Sequence, residues 1–134
     1  MTLAFDQMQN SRRQGDAGMG IAIAWFTKHG YCVSIPLTDS QDYDLVIERD
    51  NQFSSVQVRT TYYTKPNGIY QLNLRVSGGN RSGTGKTKHI DPDVVDYLFA
   101  VTNDGEMYLI PTGAIEARSI LSLGAKCDPF RVNL

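Results

Sequence analysis

What most limits how this chain can fold is a pair of residues, Asp50-Asn51, set between two β-type segments, Tyr43–Arg49 and Gln52–Tyr63. A two-residue turn between strands fixes their register. Arg49 then faces Gln52, and counting outward sets Asp44 opposite Gln57 and Asp42 opposite Arg59. Strand side chains alternate with period two, so these four share one face.

Around this hairpin the remaining elements fall into place. Ala17–His29 reads as a helix, apolar on most sides, started by Asp16 or the glycines beside it and stopped by Gly30. Tyr31–Ile35 reads as a strand ended by Pro36, and Leu45-Val46-Ile47 as a strand core buried on both faces. Tyr70–Val76, after the turn Lys65-Pro66-Asn67-Gly68, is predicted as a hairpin partner of Gln52–Tyr63. Ser77–Thr87 is glycine-rich and reads as a mobile loop. Val95–Thr102 and Glu106–Pro111 form a further hairpin, and Ile120–Leu123 a short last strand. A length of 134 residues suits a single α/β domain over 1–134.

Several function classes drop out. The longest apolar run, Ile21 to Phe26, is far short of the roughly 20 residues that cross a bilayer, and the first residues lack a basic signal-peptide start, so no membrane partner and a cytoplasmic location are expected. Cys32 and Cys127 have no partner at metal-ligand or redox-motif spacing and read as reduced structural thiols. Ser82-Gly83-Thr84-Gly85-Lys86-Thr87 suggests a phosphate loop, but Asn80 stands where that pattern needs glycine.

The net charge of -1 hides an uneven distribution. Residues 1–50 carry seven acids and four bases, and residues 91–134 seven acids and three bases. Residues 51–90 contain no acid and six bases: Arg59, Lys65, Arg75, Arg81, Lys86 and Lys88. Such a stretch predicts a phosphate-facing surface, with His89 at its end, because each phosphate neutralised releases counterions. The alternative is a solubilising face. Tyr62, Tyr63 and Tyr70 are candidates to contact bases or to pack across strands.

Asp44 and Gln57, about 5 Å apart at Cβ if directly opposed, are placed to share one hard cation. Oxygen ligation completed by water and a phosphate oxygen suits Mg²⁺ (or Mn²⁺) better than zinc. The competing reading is a polar cross-strand pair, against which stands the cost of polar groups flanking a buried strand.

Gly15-Asp16-Ala17-Gly18, His29-Gly30-Tyr31, Val33-Ser34-Ile35-Pro36-Leu37, Tyr43-Asp44-Leu45-Val46-Ile47 and Val56-Gln57-Val58-Arg59-Thr60 together resemble the PD-(D/E)XK endonucleases associated with group I introns. These are homing enzymes known from cyanobacteria, more distantly similar to archaeal Holliday-junction resolvases. The similarity continues through Val95–Val101 and Glu106–Pro111, and so covers most of the chain. It implies a restriction-endonuclease-like core, with an N-terminal helix packed on a mixed, mainly antiparallel sheet.

In that family a helical Glu, a strand Asp and a Gln-x-Lys on the next strand organise Mg²⁺ and the attacking water. Carried over, the Asp falls on Asp44 and the Gln on Gln57, in agreement with the register above. The Glu aligns with Met19, which cannot bind a hard cation, and the Lys with Arg59. Arginine keeps a charge able to stabilise a pentavalent phosphate, but its pKa above about 12 bars it from general-base work. Asp16, three residues before Met19, is a candidate replacement ligand or a helix N-cap. Glu48 shares the face of Asp44 but lies about 13 Å along the strand. The resemblance implies double-stranded DNA as partner, with intron RNA as an alternative, and a homo-dimer or homo-tetramer. The two altered positions leave open a catalytically silent relative that still binds nucleic acid.

Overall fold

The computed structural model describes residues 2–8, 10–77, 87–117 and 119–134. The predicted loop, with Arg81 and Lys86, therefore lies outside the described residues except at its flanks.

Helix α1 spans Ser11–Lys28, a full turn and a half longer at its start than the sequence suggests. The N-cap is Asn10, whose side-chain oxygen accepts the Arg13 N–H at 3.0 Å. Asp16 is thus no cap but an exposed residue inside the helix. Gly30, at φ 88°, ends it in the left-handed region.

The strands are β1 (Cys32–Ser34), β2 (Leu45–Arg49), β3 (Gln52–Thr61), β4 (Gln71–Asn73), β5 (Val76–Ser77), β6 (Thr87–Lys88), β7 (Tyr97–Thr102), β8 (Met107–Pro111), β9 (Ile120–Ser122) and β10 (Arg131–Val132). Six of them form one sheet in the order β1-β2-β3-β7-β8-β10. Asp50 and Asn51 take φ of 55° and 64°, the left-handed pair a tight hairpin needs, and the register is the predicted one: Arg49 faces Gln52 and Leu45 faces Val56. β3 and β7 run parallel while the other neighbours are antiparallel, so the sheet is mixed.

The expected hairpin of Tyr70–Val76 on β3 is corrected. The segment meets β3 through the bridge Thr64↔Tyr70, the Gln71 N–H donated to the Tyr63 carbonyl and side-chain bonds from Thr61 and Arg59 to the Gln71 and Arg75 carbonyls, without a ladder among the described residues; β4 instead pairs β9. The distant partner wins because Leu72, with Leu74 and Leu123, is buried against the sheet face. β5 and β6 pair across the glycine-rich stretch.

Two apolar clusters cover opposite faces of the sheet. Phe5, Ala22, Trp25, Phe26, Leu45, Ile47, Val56, Phe99 and Val101 pack under α1. Leu72, Leu74, Leu98, Ala100, Tyr108, Ile110, Leu123 and Cys127 form the other. Each large apolar side chain so buried contributes about 1.5–3 kcal/mol, and β7 feeds both clusters, with Phe99 and Val101 on one side and Leu98 and Ala100 on the other, as does β8, with Met107 in the first cluster and Tyr108 and Ile110 in the second. The second cluster does not extend over β1 and β2. Val46 is consequently half-buried, not buried as its apolar run suggests, and Cys32, on an edge strand, is exposed.

Candidate active site

β2 stops pairing at Leu45, and there Asp44 turns its side chain onto β3. The Asp44 N–H donates to the Val56 carbonyl at 2.8 Å, and its Oδ2 accepts the Val58 N–H at 2.8 Å. Gln57, only 4% exposed, donates through Nε2 to the Asp42 carbonyl at 2.9 Å. Its Oε1 is buried with no protein partner. Two residues on, Arg59 donates through a terminal nitrogen to the Arg75 carbonyl at 3.3 Å, while its Nε is buried and unpartnered. Gln57 and Arg59 project from the face of β3 opposite α1, as alternation with the core residues Val56 and Val58 requires.

Burial raises the Asp44 carboxyl above its usual range, against the Val58 hydrogen bond and the charge of Arg59, which both lower it. The Arg59 guanidinium is pulled down by burial and held up by Asp44. Each is the other's counter-charge in a poorly solvated corner.

An orphaned amide oxygen on Gln57 and a carboxylate held by the next residue's N–H are donor types that fit a hard cation, which satisfies lone pairs no N–H reaches. Magnesium retains several waters and needs only one or two carboxylates, so it does not require a cage of three acidic ligands. Among the described residues no group of three or more His, Cys, Asp and Glu comes together as a metal cage. Asp16 therefore joins no such cluster, and Met19 packs half-buried against the α1 core.

The helix comes this close to β3 because residue 18 is glycine. A Cβ there would overlap the Thr60 methyl, so Gly18 sets the distance between α1 and the strand that bears the site. Of the predicted phosphate contacts, Lys65 is exposed in the turn closed by the Gly68 N–H on its own carbonyl, Arg75 is exposed beside β4, and His89 is exposed after β6. Lys88 ends β6, facing Val76 in register. Sequence reasoning missed the carbonyl of Asp42 as the anchor of Gln57 and the Val58 N–H as that of Asp44. No side-chain pattern marks a backbone group.

Residues 9–124 match the PD-(D/E)XK endonuclease family. Protein 5.3 of Escherichia phage T7 is 28% identical over 118 residues, covering 87% of this chain and 94% of that protein. A solved bacterial homing endonuclease, I-Ssp6803I, superposes with a TM-score of 0.72 over 91% of this chain and 87% of its own, at 20% identity, which speaks to the fold. With its family match running through α1, the hairpin and the site strand, the chain belongs to the PD-(D/E)XK endonucleases.

Proposed function

We propose that this protein is a divalent-cation-dependent DNA endonuclease, one domain over 1–134, in which Asp44 and Gln57 hold the cation and Arg59 meets the scissile phosphate. The observation that carries it is the buried, unpartnered Gln57 Oε1 on the strand that also anchors Asp44. When bound, Mg²⁺ or Mn²⁺ would supply Lewis acidity and an activated water. The residues of the chain do the rest. Val58 fixes the carboxylate, Asp42 orients the amide so that its oxygen is left for the cation, and Arg59 offers a fixed positive charge to the phosphate as it gains negative charge. Arg59 cannot take a proton from water, so the base is solvent or the substrate itself. Lys65, Arg75, Arg81, Lys86, Lys88 and His89 would grip the duplex backbone. Cutting both strands asks for two copies of such a site, hence a homo-dimer or homo-tetramer.

A second reading is favoured by Met19 and Arg59: a silent member that binds DNA, or intron RNA, without cutting. Incubation of supercoiled plasmid with the protein in Mg²⁺ or Mn²⁺ separates the two. Nicking that EDTA stops and Asp44→Asn abolishes supports the enzyme. No nicking by the natural protein, with nicking gained by Met19→Glu combined with Arg59→Lys, supports the silent binder.

A further inference from the structure

Beside this site, where β3 leaves the sheet, lies a groove of about 640 Å³. We propose that it receives an unstacked nucleotide of the bound DNA, a few positions from the phosphate at Arg59; this rests on the nucleic-acid reading above.

The groove exists because β3 outruns its neighbour. β2 pairs only as far as Leu45↔Val56, and Asp44 occupies the next backbone donor, Val58. Among the described residues no strand pairs that edge beyond Val58. By alternation, the N–H and C=O of Thr60 point to the same open side. Gln14 of α1 borders the opening, as do Gln71, Asn73 and Arg75 around β4.

Its chemistry matches a nucleotide better than a peptide. Tyr62 and Tyr63 line it and are 50% and 64% exposed, rings that a base can stack on. Gln14, Gln71 and Asn73 bring amides suited to base edges. Asn73 spends its oxygen on the Arg75 N–H, which leaves its two amide hydrogens. Gln14 spends its nitrogen on the Phe5 carbonyl, which leaves its oxygen. Among the described residues the one charged group lining it is Arg75, whose carbonyl is the group that Arg59 holds, so the groove and the phosphate site share an element. No carboxylate among the described residues lines it. Gln57 and Tyr62 are five residues apart, about 16 Å along an extended strand. A nucleotide in the groove must therefore leave the stack some way from the cleaved bond. Unstacking costs a few kcal/mol in an intact duplex and least where a base is already unpaired.

The full-length protein in low salt with EDTA is titrated with three labelled DNAs of one sequence: perfect duplex, the same duplex with a single-nucleotide bulge, and single strand. A 2-aminopurine at the bulge reports stacking. The natural protein is expected to bind the bulged duplex more tightly than the perfect one and to quench the 2-aminopurine. Replacing both Tyr62 and Tyr63 with leucine keeps apolar bulk on exposed positions, and should cut that preference about tenfold, within the range of a lost base–aromatic stack. Phenylalanine at both positions should retain it. Equal affinity for bulged and perfect duplex, or a leucine variant that keeps both preference and quenching, overturns the groove while duplex binding stands. Failure to bind any of the three overturns the groove and the nucleic-acid reading together.

Discussion

The Asp44 carboxylate is tied to the backbone of the neighbouring strand, Oδ2 accepting the Val58 N–H at 2.8 Å, so the proposed metal ligand is positioned by the same β3 that carries Gln57 and Arg59. This hydrogen bond does not outweigh burial, which raises the carboxyl. Between the usual 3.8 and the raised value the folded state therefore binds more protons than the unfolded one, and stability falls as pH climbs through that window. Asp44→Asn keeps an oxygen for Val58 and removes the charge. Urea unfolding should show the variant more stable than the natural protein at pH 7 and equal to it below pH of about 3.8. Its cleavage should fall by about 100-fold or more, the scale of one preorganised electrostatic group. A variant less stable at pH 7 would contradict the burial argument.

Gln57 gives a prediction about cations that needs no turnover. Its Oε1 lacks a partner while its Nε2 is satisfied. Gln57→Leu therefore removes one unmet acceptor and one hydrogen bond, and should change stability in EDTA by no more than about 1 kcal/mol. Adding Mn²⁺ at 100 times its dissociation constant should stabilise the natural protein by about 2.7 kcal/mol and the variant much less. Melting curves with and without Mn²⁺ measure both. Equal stabilisation of the two proteins would place the cation elsewhere.

Gly18 and Thr60 should be energetically coupled. A methyl at position 18 meets the Thr60 methyl, and relief requires α1 to move off β3. Gly18→Ala should cost about 1–3 kcal/mol, the range for overpacking. Thr60→Ser deletes the opposing methyl, so the same change in that background should cost far less. A double-mutant cycle by denaturant unfolding reads the coupling directly, and additive effects would show that the contact does not limit the packing.

The hairpin was legible from sequence because two residues, Asp50 and Asn51, fix both the turn and the register as far as Leu45↔Val56; the expected facing pairs Asp44–Gln57 and Asp42–Arg59 lie beyond the end of that ladder, where Asp44 bonds the backbone of Val56 and Val58 instead. Elements set by distant packing were not legible. Tyr70–Val76 looks like the hairpin partner of β3 because local turns are visible in sequence, whereas pairing with Ile120–Ser122 depends on a cluster that includes Leu98 and Tyr108. The parallel pairing of β3 with β7 is hidden for the same reason. At the helix start, Asp16 and the glycines beside it offer a competing start, although Asn10 ahead of the helical run is a recognisable cap. Within the site, the acidic and amide residues could be read, but the backbone groups that aim them belong to no residue type.

The acid-free stretch carries the last prediction. Binding through phosphates releases counterions, and each contact adds about 0.9 to the slope of log affinity against log salt on duplex DNA. Replacing Arg81, Lys86 and Lys88 together with glutamine should lower that slope by nearly 3 if all three touch phosphate, and weaken binding across unrelated duplex sequences alike. Fluorescence anisotropy from 50 to 200 mM salt measures it. An unchanged slope would move the DNA contacts away from the glycine-rich stretch, to Lys65 and Arg75 beside the groove and to Arg12 and Arg13 in the first turn of α1.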